Sequence, residues 1–182
     1  MLASAIILVQ ACNNDDEGVV QNDSLAGTWE IQSAELVNYT VTVAGITLGR
    51  QAIKNAPFLK DEVEGLEATL GEISDQLFPM GTIIALNQDS SYLLSSPNAP
   101  TDLRSQWSQS KDQQQVSLKI DNRLLGIDGL RELTFDISEL DDDSLLLLLN
   151  VSDKEIGQIP DYGNTISIDK FTIEYEFSFR KQ

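Results

Sequence analysis

Near its C-terminus the chain reads FTIEYEFSF from Phe171 to Phe179, an unbroken alternation of apolar and polar side chains. Successive side chains of a β-strand point to opposite faces of the sheet. The stretch therefore predicts a strand whose aromatic and aliphatic side chains share one buried face, with the polar ones on the other. A strand with one apolar face is typical of antiparallel sheets around a single core. The fold is accordingly predicted to be mainly β.

Similar but shorter alternations occur upstream. In the first of them, Trp29, Ile31 and Ser33 are predicted to share a face. About eight strands that follow one another as hairpins predict an antiparallel up-and-down β-barrel, with a two-sheet sandwich as the alternative. The strands predicted before the last one cover residues 25–32, 39–43, 82–86, 91–95, 105–109, 115–120, 132–138 and 145–149.

One segment has a helical period instead. Its apolar residues recur at steps of three and four, which predicts one α-helix over residues 59–77 inserted into the barrel. The strand at 145–149 is leucine throughout and so is apolar on both faces. We expect the helix to cover the outer face of that strand. The helical stripe consists of Leu59, Val63, Leu66, Leu70, Ile73 and Leu77.

Composition excludes several classes of function. The 182 residues carry 12 Lys and Arg against 29 Asp and Glu, a net charge of −17 that repels nucleic acid. There is no histidine, and Cys12 is the single cysteine. Internal disulfides and sites built on His or clustered Cys are therefore excluded, and no metal, cofactor or catalytic residue is predicted. A hydrolase with two convergent carboxylates stays as the enzymatic alternative.

The first residues have the character of an export signal. Residues 1–11 are almost wholly apolar, too few to span a bilayer, and end in Ala11 before Cys12 and an acidic stretch. This arrangement resembles a bacterial lipoprotein signal with the lipobox VQAC, truncated in that no Lys or Arg follows Met1. The resemblance implies cleavage before Cys12, acylation of that residue and a lipid-anchored place at the outer membrane, facing the periplasm or the cell surface. Residues 12–24 are predicted to form a flexible acidic tether, and residues 25–182 the barrel domain.

The barrel segments resemble the lipocalin-like lipoproteins of Bacteroidetes. The resemblance starts at Gly27-Thr-Trp29 and continues through Trp107-Ser108, the strand at 116–118 and the strand, acidic turn and leucine strand at 133–149. It ends at the basic pair Arg180-Lys181. It implies an up-and-down barrel whose mouth can hold a small apolar ligand. The family commonly stacks an arginine on the tryptophan, but alternation puts Arg180 on the polar face unless a bulge turns it inward.

These features favour two functions. The first is binding of a small apolar ligand inside the barrel of an envelope lipoprotein. The second is a non-catalytic accessory role in a surface complex, with the barrel filled by its own side chains and its contacts on the outside. The candidate ligand-binding residues are Trp29, Phe171, Ile173, Tyr175 and Phe177, and the candidate lipid attachment site is Cys12.

We predict that Cys12→Ser leaves the protein soluble or unprocessed, because stable membrane attachment needs acyl chains that only this residue can carry. Membrane fractionation with metabolic lipid labelling measures this. Normal labelling and membrane recovery of the variant would show that the anchor lies elsewhere.

Overall fold

The structure, a computed structural model, describes residues 25–56, 60–97, 102–119, 132–152 and 169–182. The helices are α1 (Arg50–Lys54) and α2 (Lys60–Leu77). The strands are β1 (Gly27–Val43), β2 (Ile46–Gly49), β3 (Ile83–Leu86), β4 (Ser91–Ser95), β5 (Leu103–Gln109), β6 (Gln115–Lys119), β7 (Glu132–Leu140), β8 (Ser144–Ser152) and β9 (Lys170–Lys181).

The sheet closes on itself. Its strand order is β2-β1-β3-β4-β5-β6-β7-β8-β9, every neighbouring pair is antiparallel, and β1 also pairs with β9. The predicted antiparallel barrel of eight strands is therefore confirmed, and the sandwich alternative is wrong. The remaining strand, β2, forms a hairpin with the end of β1 that extends beyond the barrel wall.

β1 is one strand of 17 residues where the sequence predicts two separate ones. It stays continuous because two β-bulges, at Ile31/Ser33 and Leu36/Asn38, absorb its bending as it pairs with β9. The first bulge reverses the alternation. Ser33 consequently pairs with Ser178 on the outer face, so its predicted place beside Trp29 is wrong.

The barrel has a tall side and a short side. β1 and β9 are 17 and 12 residues long, whereas β3 and β4 have 4 and 5. Along β1, the pairing with β3 covers only the first residues, from Gly27 to Glu30. The inner face of β1 and β9 beyond Glu30 therefore has no β3 residue beside it, and the helices cover it.

α2 lies on that inner face. The buried Tyr175 hydroxyl donates a hydrogen bond to the carbonyl oxygen of Leu70 at 2.9 Å, and Leu66, Ile73 and Leu77 pack against the core. The predicted helix is confirmed, with its described start at Lys60 and Leu59 outside the described residues. The predicted cover over the outer face of the leucine strand is wrong, because α2 packs against the core inside the barrel, into which Leu145, Leu147 and Leu149 also point.

The outward leucines of β8 are shielded by their neighbours in the sheet. Leu148 lies between Asp136 and Glu176 on the adjacent strands, and Leu146 lies beside Ser178. Both leucines are half-buried. The side chains of the flanking strands therefore supply the cover that was expected from a helix.

Arg50 ties the helices to the second bulge of β1. Its Nη1 donates to the carbonyl oxygens of Leu36 and Val37 at 2.6 and 3.0 Å, and its Nε donates to Glu67 at 2.8 Å. A bulge leaves peptide groups outside the ladder, and the guanidinium of Arg50 pairs with two of them. Glu67 on α2 also accepts from Lys54 at 3.0 Å, which joins both helices to β1.

We predict that Arg50→Ala lowers the free energy of unfolding by about 1–3 kcal/mol, since charged hydrogen bonds to bulge carbonyls are lost. Arg104→Ala is the matched control, because Arg104 is exposed on the outer face and should change stability by less than about 0.5 kcal/mol. Denaturant unfolding of the two variants measures the difference. Equal effects would contradict the role of Arg50.

Candidate functional site

The barrel interior contains every residue predicted to bind a ligand. Trp29 comes from β1, and the other residues come from alternate positions of β9, so that all share the inner face. Each is at most 2% exposed. They are Trp29, Phe171, Ile173, Tyr175 and Phe177.

Phe78 occupies the centre of this interior. It follows α2 directly and is 3% exposed. Its ring makes edge contacts with Phe177 and Phe179 at centroid distances of 5.1 and 5.8 Å, and a tilted contact with Phe135 at 6.0 Å. Aromatic pairs in this range add stability beyond burial alone. The side chain that follows the helix therefore packs among the inward-facing rings of β7 and β9.

The space left near Trp29 is very small. A void of about 10 Å³ lies between the strand side chains there. That is about the room of one water molecule, whereas small-molecule sites usually span about 300–1,000 Å³. It is lined by Trp29, Ile84, Leu86, Val116, Leu118, Leu145, Leu147 and Phe179.

One end of the barrel is closed around Trp29. The indole Nε1 donates to the carbonyl oxygen of Leu25 at 2.9 Å, and Leu25 is fully buried. Lys181 Nζ lies 5.1 Å from the centroid of the indole, within the range of a cation–π contact. A Cβ on Gly27 would lie 2.9 Å from Lys181 Cε, so glycine allows the lysine to cross over the tryptophan.

This contact identifies a residue that was not predicted from the sequence. Arg180 pairs with Glu30 on the outer face and is exposed, as strict alternation predicts. The residue paired with Trp29 is Lys181. The same alternation could have selected it, because adjacent positions of a strand face opposite sides.

The opposite end contains a buried tyrosine whose hydroxyl has no hydrogen-bond partner in the described part of the chain. Tyr39 is 1% exposed, although Glu67 and Arg50 lie near enough to act on its hydroxyl. Burial, followed by the charge of Glu67, raises the pKa of Tyr39. Its ring packs against Phe171 at 6.2 Å.

The other described tyrosines are buried with partners. Tyr92 donates to the carbonyl oxygen of Lys119, and burial raises the pKa of Tyr92 to about 12. Burial also raises the pKa of Tyr175. A buried phenol resists ionisation because its anion would lose solvation. These hydroxyls therefore connect elements of the fold in their neutral form.

The carboxyl groups with a shifted pKa do not resemble a general acid. The hydrogen bond from Arg50 lowers the pKa of Glu67, and those from Ser91 and Ser110 lower the pKa of Asp89 and Asp112. A glycosidase acid needs a raised pKa instead. Within the described ranges, no three or more Asp, Glu or Cys side chains are grouped as a metal site.

Comparison with known proteins finds no protein family and no curated protein that matches this chain. In the part of the chain that the structure describes, no helix has both the length and the apolar character needed to cross a membrane. Cys12 and the tether at 12–24 lie outside the described residues.

We predict that stability declines above pH 10. Burial raises the pKa of Tyr92 from 10.0 to about 12 in the folded state. The contribution of the neutral Tyr92 phenol to the free energy of unfolding is therefore complete below pH 10. It is lost as the pH rises towards 12, and the free energy of unfolding falls by about 1.4 kcal/mol per pH unit for each such tyrosine. Denaturant unfolding across this range, with tyrosinate absorbance recorded in parallel, measures the loss.

In the Tyr92→Phe protein, the free energy of unfolding should fall less steeply between pH 10 and 12, because one tyrosine no longer contributes to the slope. Both proteins carry Tyr162→Phe, so that the tyrosinate absorbance comes only from tyrosines that the structure describes. Tyrosinate absorbance that rises around pH 10 while the fold stays intact would contradict the burial argument.

Proposed function

We propose that this protein is a non-catalytic, lipid-anchored lipoprotein of the bacterial outer membrane that serves as an accessory subunit of a surface complex. Cys12 carries the anchor, and the barrel is a solid scaffold whose contacts with other proteins lie on its outer face. The observation that supports this function is the filled interior, where Phe78 and the residues predicted to bind a ligand pack against one another. An interior of this kind stabilises the scaffold and leaves its outside for recognition.

Binding of a small apolar ligand is the second candidate, now restricted to the mouth. The buried hydroxyl of Tyr39 favours it: within the described residues it makes no hydrogen bond of normal geometry, although Glu67 lies close enough to raise its pKa, and a ligand that bonds to it would recover free energy. The β1–β2 hairpin near Phe171 adds exposed apolar surface at Ile46 and Leu48, which are 65% and 39% exposed. A neutral or cationic ligand suits the net charge of −17.

Phe78→Ala separates the two candidates. We predict that it lowers the free energy of unfolding by about 3–5 kcal/mol, because it opens a cavity among the aromatic rings. Apolar cavities made in this way stay dry and bind small aromatic molecules. Benzene should therefore raise the melting temperature of the Phe78→Ala protein and leave that of the wild type unchanged.

Met80→Ala is the matched control, since Met80 is 61% exposed two residues further on. It should change stability by less than about 0.5 kcal/mol and gain no benzene response. A neutral long-chain fluorescent probe, titrated into the wild-type chain while Trp29 and Trp107 fluorescence is followed, tests the mouth. Saturable binding of that probe would overturn the filled scaffold in favour of ligand binding.

A further inference from the structure

The barrel wall has an open seam between β7 and β8. Their ladder runs from Leu140↔Leu145 to Asp136↔Leu148 and stops there. β7 nevertheless begins at Glu132 and β8 continues to Ser152, and within these described ranges neither half makes ladder pairs with the other. On their far sides these halves are fully paired, β7 with β6 and β8 with β9.

The register shows which peptide groups face the seam. The amide of Ile137 donates to Gln114 on the β6 side at 2.7 Å. The peptide groups of an antiparallel strand point alternately to its two neighbours, so those of Thr134 point towards β8. Leu148 pairs with Asp136, so its peptide groups point towards β7. Those of Asn150, two residues further along β8, point the same way. The peptide groups of Thr134 and Asn150 therefore face each other across the seam, beyond the last pair of the β7–β8 ladder, while both residues pair on their far sides with Ser117 and Glu174.

The seam is a cleft of about 230 Å³. Its floor is apolar and belongs to the barrel core, with Leu133 and Leu149 only 4% and 2% exposed. Its rim is polar and acidic. The lining consists of Gln115, Glu132, Leu133, Thr134, Asp136, Leu149, Asn150 and Val151.

Within the described part of the chain the rim carboxylates of Glu132 and Asp136 form no ion pair, although Lys119 lies opposite Glu132 in the β6–β7 ladder, where its Nζ donates to Gln106. Asp136 accepts hydrogen bonds from the amide groups of Gln115 at 2.8 Å and Asn150 at 3.3 Å, neither of which carries charge. The described ion pairs both involve Glu67, on the other side of the barrel. Glu132 is exposed at the open end of β7. The cleft therefore offers two carboxylates to a cation from outside.

We propose that this seam binds an extended segment of a partner protein that carries lysine or arginine. The segment pairs its backbone with the seam-facing peptide groups of Thr134 or Asn150, which lie beyond the β7–β8 ladder, as strands are added to open sheet edges. It places an apolar side chain towards Leu133 and Leu149 and a cationic one beside Glu132 and Asp136. This inference rests on the proposed accessory function and names the chemistry of the partner.

The observations favour a basic partner over a second copy of this chain. A second copy would bring another net charge of −17 to an acidic rim, and like charges across an interface are unfavourable. The volume is also below that of a usual small-molecule pocket. It is closer to the space of one or two residues of a peptide.

Hydrogen exchange of the full chain, followed by NMR, tests the seam. The probes are a synthetic pentapeptide of alternating valine and lysine and a matched one of alternating valine and glutamate. In the free protein, the amides of Thr134 and Asn150 should exchange faster than those of Phe135 and Leu149, whose peptide groups point to the paired neighbours β6 and β9. The lysine peptide should slow exchange at Thr134 or Asn150, and the glutamate peptide should not.

Variants assign the effect to the rim and to the backbone. Glu132→Gln should weaken binding of the lysine peptide about five-fold, while Glu139→Gln, the same change at the far end of β7, should not. Thr134→Pro removes an amide that points into the seam and away from β6, so the β6–β7 ladder should persist and binding should fall about ten-fold. If Thr134→Pro does not fold, the comparison of Glu132 with Glu139 decides.

The outcomes separate this inference from the proposed function. Equal protection by both peptides, no protection at saturating peptide, or equal effects of Glu132→Gln and Glu139→Gln would overturn the seam as a cationic segment site. The filled scaffold would survive any of these results. Protection confined to the mouth residues near Tyr39, together with saturable binding of the long-chain probe, would instead overturn the accessory function itself.

Discussion

Pairing of β1 with β9 is the interaction on which the rest of the structure depends. It runs from Trp29↔Lys181 to Thr42↔Lys170 and closes the barrel. Closure removes the free edges that two long strands would otherwise expose. The two bulges let a strand of 17 residues bend around the core without losing its partner. Each bulge also has a local consequence: the first turns Ser33 outward, and the second presents the carbonyl groups that Arg50 binds.

The unequal strand lengths then determine where the helices lie. Because β3 and β4 are short, the upper inner face of β1 and β9 has no strand opposite it, and α2 fills that place. The connection from α2 to β3 begins with the buried Phe78, which packs against rings of β7 and β9, and reaches the surface at Met80. A filled core is therefore a consequence of the short strands as well as of the aromatic residues of β9. Phe78, at the start of that connection, takes part of the space inside the barrel.

Strand periodicity predicted the fold class, the order of the hairpins and the inward residues of β9, because alternation reports directly which side chains share a face. Bulges could not be predicted from it, since one extra residue in a strand leaves no mark in composition, and Ser33 was misplaced for this reason. The helix was predicted from its period, but a period does not say which surface the apolar stripe meets, so α2 was assigned to the wrong side of the sheet. Phe78 lies outside both patterns as a single aromatic residue after a helix. Its role depends on contacts with β7 and β9 that are distant in sequence.

The outer face of the barrel carries acidic side chains close to one another. Glu35 lies directly opposite Glu176 in the ladder between β1 and β9, an arrangement that destabilises a sheet through repulsion. A domain held together by a dense aromatic core can tolerate such pairs, because burial of large rings contributes far more than a surface pair removes. This pair of glutamates is therefore not a source of the stability of the sheet. In the described part of the chain, the seam between β7 and β8 brings together carboxylates without an ion pair, peptide groups beyond the β7–β8 ladder and an apolar floor.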